Sequence, residues 1–310
     1  MENRKRTAII VLNYNDAETT IKFIEQVKNY DSLDFIVVVD NASKDNSVES
    51  LSPYIGGKVE LVRSTQNKGY AYGNNLGLRY VEKYHPECNY YIVSNPDIII
   101  SNNSICELIE QLQKKEDIVL ATGVIKDVEG KKVSNCGWYL PSARQILLNS
   151  FFITYFLINK VWKQGIYVHL NDKKKEPVIV EAVPGCFFVI KAQAMQQIGF
   201  FDEDTFLFCE ENILGSRLKE NKYKSMIVPW ISLVHENSVT ISKSIKRSYD
   251  IKKLLLQSYL VYLKKYRKMN KLSLIWFSIL YRISFFDDII VHKVIKLKTI
   301  FHQKEKNHEE

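Results

Sequence analysis

Two adjacent carboxylates, Glu210 and Glu211, stand inside the apolar stretch FLFCEENILG. Between Phe206, Leu207, Phe208, Ile213 and Leu214 they form either one solvated turn of a buried helix or the proton-handling end of an active site. Other patterns offer partners for such chemistry. In VVVDNASKDNS, Asp40 closes an apolar run, where an aspartate can accept hydrogen bonds from a base or ribose and the following loop offers backbone N–H groups. The same text also reads as a plain turn with a helix N-cap. In TQNKGYAYGNNLGL, Gly69, Gly73 and Gly77 permit close approach of backbone to a ligand, without forming a Walker loop or a GxGxxG fingerprint. In SNPD, Asp97 is a single acid bracketed by apolar runs. It suits a hard divalent cation shared with ligand phosphates, because magnesium uses few protein carboxylates; as local text SNPD is also an ordinary turn signal.

These residues sit where strands should end. TAIIVL, DFIVVVD, KVELVRS and NYYIVSNPD are near-continuous apolar runs of strand length. They alternate with helical patterns such as AETTIKFIEQVKNY, which predicts a mostly parallel sheet covered by helices on both faces. Ligands of such sheets gather beyond the carboxyl ends of the strands, here marked by Asn13, Asp40, Asn67 and Asp97. After DIVLATGVI the alternation stops, and residues 141–182 look like a helical or loop insertion. VEAVPGCFFVIKA and SMIVPWISLVHE then read as strands, with a helix AMQQIG following the first of them.

At 310 residues with 46% hydrophobic content, the chain can bury a sizeable core. Its net charge of +8 favours an anionic partner. Five scattered cysteines without a CxxC pair argue against a disulfide framework or a zinc site and for a reducing compartment. Only about five apolar residues precede Asn13, short of a signal-peptide core, so the expected location is the cytoplasm. Between Lys243 and Lys306, sixteen Lys and Arg stand against four Asp and Glu. Within that segment LSLIWFSILYRISFF is interrupted by Arg282 and is shorter than the roughly 20 residues a spanning helix needs. Basic residues interleaved with Trp276, Phe277, Tyr281, Phe285 and Phe286 suit a helix lying on an anionic leaflet, at the inner face of the cell membrane; alternatively these aromatics pack the tail onto the rest of the protein. The charge sits in an aromatic-rich tail without a nucleic-acid-binding module, so nucleic acid is not the expected partner.

Taken in order, AIIVLNYN, VVVDNASKDNS, NKGYAYGNN, SNPD, VPGCFFVIK, IGFFDEDTFLFCEENILGSRL and VPWISLVHENSVT resemble the inverting family 2 glycosyltransferases of GT-A fold, in the rhamnosyltransferase-like branch. The resemblance covers roughly residues 7 to 240. It implies a GT-A domain over residues 1–242, a Rossmann-like sheet flanked by helices, followed by a basic, aromatic-rich helical appendage over 243–310. It implies transfer of a sugar from dTDP-rhamnose or a UDP-sugar to a glycan or lipid-linked glycan, with Mg²⁺ or Mn²⁺ as cofactor. Asn13 would close the first strand over the nucleotide, and Asp40 would contact the base with Asn41 and Ser43 beside it. Asn67, Gly69 and Asn74 would line the donor pocket. Asn95 stands where many members carry a first aspartate, Asp97 would reach the metal, and His235 would lie near metal and diphosphate, although a lone histidine is more often structural. The turn at Gly185 would leave room for acceptor or sugar. Glu211 takes the general-base position, usually an aspartate, with Glu210 as its neighbour or orienter, while Ile213 replaces a further acid. Asn95 and Ile213 also support an alternative, a non-catalytic nucleotide-binding or scaffold member of a glycan-assembly complex. Homo-oligomer formation is left open.

Overall fold

The structure, a computed structural model, describes residues 5–133, 136–162, 165–168, 170, 175–236 and 248–285. It divides into two compact units, Met1–Leu140 with Tyr167–Lys246, and Pro141–Ile166 with Arg247–Glu310. Of the segment that reads as an insertion, residues 141–166 therefore belong with the C-terminal unit and the remainder with the first.

The first unit is built on β1 (Arg6–Asn13), β2 (Phe35–Asp40), β3 (Val59–Arg63) and β4 (Cys88–Ser94), all mutually parallel in the order β3-β2-β1-β4. Their central residues, such as Ile9, Ile10, Val37, Val38 and Ile92, are fully buried. Helices cover both faces of such a sheet, so the sequence shows continuous apolar runs instead of alternation. The connecting helices are α1 (Ala17–Val27), α2 (Ser47–Leu51) and α3 (Tyr70–Tyr84).

Beyond β4 come β5 (Ile98–Ile99), α4 (Asn102–Gln113) and β6 (Ile118–Lys126) in this unit, then β7 (Val178–Val180), β8 (Phe187–Lys191), α7 (Ala192–Gln197), α8 (Glu210–Glu220) and β9 (Lys224–His235). The sheet continues β4-β8-β6-β9-β5, with β7 also on β9. Here parallel pairing is confined to β6–β9, because β8 runs antiparallel to both neighbours and β5 and β7 run antiparallel to β9, which leaves the sheet mixed in this part. The reversal matters for the site. Ser94 at the end of β4 pairs with Phe187 at the start of β8, so the PGC turn before β8 lies at the carboxyl edge of the parallel strands. Because β6 and β9 run in the same sense as β4, the end of β9 reaches that edge too, with His235 paired to Ile98.

The second unit contains α5 (Ala143–Ser150), started by a Ser142–Gln145 capping box, α6 (Phe152–Phe156), α9 (Ser248–Lys265) and a last helical stretch, residues 271–285. Tyr262 Oη donates to the Pro141 carbonyl at 2.9 Å, tying the two parts of this unit together. Tyr259, Phe277 and Tyr281 pack edge to face or stacked in its core. The aromatics singled out in the tail thus divide: Phe277 and Tyr281 point inward, Trp276 is 65% exposed, and Phe286 lies outside the described residues, as do 243–247 and the stretch beyond 286. No helix among the described residues is long and apolar enough to cross a membrane. All five cysteines are free thiols.

Candidate active site

At the end of β1, the Asn13 side-chain amide donates to Asp40 Oδ1 at 2.9 Å and to Ser43 Oγ at 3.2 Å, while Thr20 Oγ1 donates back to Asn13 Oδ1 at 2.9 Å. The Ser43 backbone N–H donates to Asp40 Oδ2 at 3.1 Å. Asp40 is thereby fixed through both oxygens, and each keeps acceptor capacity for a ligand donor. Asn41 Nδ2 bridges Asn67 Oδ1 and the Gly69 carbonyl at 3.2 and 3.3 Å. Asn74 Nδ2 donates to the Tyr70 carbonyl at 3.0 Å. The other amide oxygens of Asn41 and Asn74 are buried without a donor. Buried acceptors are almost always satisfied, so these two oxygens suit N–H or O–H groups brought by a ligand.

The glycines in this stretch do a different job from the one their sequence suggests. Gly69 has φ +96°, and a Cβ there would lie 1.8 Å from the Phe206 carbonyl oxygen. That oxygen accepts from the Tyr70 N–H at 2.9 Å. Gly69 is therefore the seat of the segment leading into α8. Gly73 and Gly77 let α3 lie directly on Leu12 and Ile10 of the sheet.

On the neighbouring strands, Asp97 is 7% exposed and neither carboxylate oxygen accepts a hydrogen bond, although His235 Nε2 stands 3.1 Å from Oδ2. A buried carboxylate without donors is costly unless a cation completes it. These residues fit a divalent metal on that ground. Among the described residues no cluster of three or more His, Cys, Asp or Glu surrounds the pair. Ligand oxygens and water would have to complete the shell, a pattern usual for magnesium. Asn95 presents its backbone instead: its N–H donates to the Cys186 carbonyl at 2.8 Å, joining SNPD to the PGC turn.

Glu210 and Glu211 open α8. The chain reaches them through Phe208 and Cys209, two consecutive non-glycine residues at φ +73° and +69°. Each such conformation costs on the order of 1–3 kcal/mol and persists only where the surroundings enforce it. The enforcing contacts are identifiable. Asn75 exchanges hydrogen bonds with the Phe201 backbone at 2.9 and 3.0 Å and also donates to Glu203. Trp138 Nε1 donates to Asn212 Oδ1 at 2.7 Å, and Arg217 grips the Phe200 carbonyl at 2.9 Å. Tyr70, Asn75, Trp138 and Asn212 carry no motif of their own; Tyr70, Asn75 and Asn212 lie inside stretches that the sequence singles out, and Trp138 does not.

The two carboxylates are not equivalent. Glu210 is buried and its Oε1 has no partner, whereas Glu211 is partly exposed and its Oε1 accepts from the Gly185 N–H at 3.2 Å. The Gly185 carbonyl in turn accepts from Tyr70 Oη at 2.6 Å. A Cβ at Gly185 would press on Glu211 Oε1 and Tyr70 Oη at 3.2 and 3.3 Å. Burial raises the Glu210 carboxyl above its usual range, with repulsion from Glu211 adding to the effect. Burial likewise raises Glu211, against the opposing pull of its own N–H and that of Gly185. The Cys186 thiol is pushed up by burial and then by both Asp97 and Glu211, which sets it between the two acidic centres. Ile213 faces the core. The thirteen candidate site residues thus fall at or beside the carboxyl edge of the sheet; the Tyr70–Phe206 hydrogen bond ties the Asn67–Asn74 stretch to the segment before α8, and Asn95–Cys186 ties SNPD to the PGC turn.

A family model described as Glycosyl transferase family 2 matches residues 8–194. Among curated relatives, the rhamnosyltransferase WbbL of Escherichia coli K12 is 24% identical over 233 residues, covering 73% of this chain and 82% of that protein. The N-acetylglucosaminyl-diphospho-decaprenol L-rhamnosyltransferase of Mycobacterium tuberculosis is 22% identical, covering 66% of each. Among solved structures, GalNAc-T7 with UDP, GalNAc and Mn²⁺ superposes with a TM-score of 0.59 at 16% identity, covering 86% of this chain and 50% of that one. That likeness establishes the fold, a GT-A-type α/β sheet.

Proposed function

The chain belongs to glycosyl transferase family 2, and from that premise we propose that it transfers a sugar from a nucleoside-diphosphate sugar to a hydroxyl of a glycan or lipid-linked glycan, with inversion at the anomeric carbon. dTDP-rhamnose or a UDP-sugar is the proposed donor. The observation that carries the reading is Glu211, whose carboxylate is pinned by the Gly185 N–H in the same turn whose Cys186 carbonyl accepts from Asn95, two residues before Asp97 of the Asp97–His235 pair.

In this reading Asp40, held by Asn13 and Ser43, accepts from the base or ribose. The open amide oxygens of Asn41 and Asn74 accept further donor groups of the nucleotide-sugar, with Asn67 and Gly69 shaping that wall. Asp97 and His235 would hold Mg²⁺ or Mn²⁺, which when bound supplies charge neutralisation for the diphosphate. The acceptor oxygen forms its bond to the anomeric carbon as the bond to the diphosphate breaks, and the acceptor proton passes to Glu211. A carboxyl raised toward neutral pH is better matched to that task than an ordinary one, and such help is worth about 10²–10⁴ in rate. Glu210, buried beside it and raised by that burial to about 8, holds its own proton near neutral pH, which makes it the neighbour and orienter and leaves the base role to Glu211. The acceptor is met at an anionic membrane surface, with the enzyme peripheral on its cytoplasmic side; the basic C-terminal unit supports that placement.

Asn95 and Ile213 favour one second reading, a nucleotide-binding scaffold without turnover. A thermal-shift panel of UDP, dTDP, GDP and their sugars with Mn²⁺ identifies the donor class, and turnover assays of wild type and Glu211→Gln then separate the two readings. Transfer by wild type that is lost in a variant still binding nucleotide supports catalysis; no transfer with any bound nucleotide-sugar supports the scaffold.

A further inference from the structure

The helical stretch 271–285 of the second unit turns an apolar face to water. Along residues 271–285, Phe277, Tyr281 and Ser284 are buried against α9, whose Tyr259 meets the first two. The opposite face carries Leu272, Ile275, Trp276, Ile279 and Ile283, spaced as a single helical stripe and all exposed, Leu272 by 72%. A stripe from 272 to 283 spans about 17 Å at 1.5 Å per residue. Scattered exposed apolar residues need no explanation, but a contiguous face of this kind marks an interaction surface.

What meets it is read from the charge at its end. The turn between α9 and this helix exposes Lys264, Lys265, Arg267, Lys268 and Lys271, and Asp250 is the one acidic residue in the described part of 248–285. At the same end lies an apolar groove of about 380 Å³ floored by Leu260, Val261, Leu274 and Ile275, with Lys264 and Lys271 on its rim. Apolar floor and cationic rim together match an acyl chain below its anionic headgroup. A tryptophan on the stripe suits the headgroup boundary, and no helix among the described residues is long and apolar enough to cross a membrane, so this one would lie in the interface. From this juxtaposition we infer that the stripe of residues 272–283 and the basic turn 264–271 form a landing surface for an anionic lipid leaflet, which deepens the membrane part of the proposed function.

The full chain is floated with vesicles of phosphatidylcholine, with and without about one third phosphatidylglycerol. Binding to the anionic vesicles, weaker on neutral ones and in high salt, is expected. The variant Leu272→Ser/Trp276→Ser/Ile279→Ser should lose about 10²-fold in partitioning, from the apolar surface no longer buried. Lys264→Gln/Lys271→Gln, which leaves the stripe intact, should lose about five-fold per lysine. Both variants should keep the wild-type melting temperature, nucleotide-induced thermal shift and transfer to a water-soluble acceptor. That separates failure of the landing surface from failure of the glycosyl-transfer reading. Undiminished flotation of either variant overturns the inference. So does a wild-type dimer in light scattering that the stripe variant converts to monomer, because the stripe would then be covered by a second copy.

Discussion

Substituting Gly69 by alanine tests whether the segment before α8 positions the carboxylates. Two costs follow from the geometry. At φ +96° and ψ −172° an L-residue is strained by about 1–3 kcal/mol. The new Cβ would also lie 1.8 Å from the Phe206 carbonyl oxygen, a backbone atom that cannot swing aside, so the segment must retreat and the Tyr70 N–H loses its acceptor. The lost bond adds about 0.5–1.5 kcal/mol, for a total of about 1.5–4.5 kcal/mol. At about 2–4 °C per kcal/mol for a domain of this class, the melting temperature should fall by about 3–18 °C. Gly130 provides the control: its φ is +78° and a Cβ there meets nothing within 4 Å. Gly130→Ala carries only the backbone cost of about 1–2 kcal/mol. The catalytic consequence separates the two more sharply. Phe206 leads through the strained Phe208–Cys209 pair into Glu210 and Glu211, and displacement of a reacting group by 1 Å costs on the order of 10² in rate. Scanning fluorimetry and release of nucleoside diphosphate, measured with the donor found in the thermal-shift panel, read both effects. If Gly69→Ala melts and turns over like Gly130→Ala, the Gly69–Phe206 contact does not position the carboxylates.

Glu211→Gln should lower kcat by about 10²–10⁴ and leave nucleotide affinity unchanged; retained turnover removes Glu211 from the base role. Glu210→Gln should change stability with a definite pH sign. A carboxyl raised above its ordinary 4.5 binds its proton more tightly when folded, so stability is fully present below that value and is lost as pH rises toward the folded value. The melting temperature of Glu210→Gln should therefore gain on wild type steadily from pH 5 to pH 8, and a pH-independent difference contradicts the burial argument. Asp97→Asn should abolish the additional thermal shift that Mn²⁺ gives in the presence of nucleoside diphosphate, as EDTA should in wild type; an unaltered metal-dependent shift places the cation elsewhere.

How much of this was readable from sequence depends on whether a contact is local. β1 to β4 were legible because burial on both faces leaves runs such as AIIVL and IVVVD, and the polar residue ending each run marks the sheet edge without further information. The direction of β8 was not legible. FFVIK is equally apolar whether parallel or antiparallel, and only pairing with β4 and β6 decides it. The face of the last helix was hidden for a similar reason: LSLIWFSILYRI is apolar nearly all round, so periodicity does not say that Phe277 is inside and Trp276 outside.

The carboxylate pair shows where local reasoning stops being sufficient. FLFCEENILG contains no glycine before the glutamates, so nothing in it announces two consecutive left-handed residues. Their conformation is imposed from far along the chain, by Tyr70 through Phe206, by Asn75 at a separation of 126 from Phe201, and by Trp138 at 74 from Asn212. The strain has a directional consequence. Without it α8 could begin earlier, burying Glu211 in the helix body instead of presenting it, with Glu210, at the N-terminus where backbone N–H groups favour the charged form. How the pair is presented at the start of α8 therefore depends on those distant hydrogen bonds. Cys209→Gly, which relieves the strain at one of the two positions and keeps the Tyr70, Asn75 and Trp138 hydrogen bonds, should retain turnover; Asn75→Ala, which removes a clamp and keeps the strain, should lose it in the same nucleoside-diphosphate release assay.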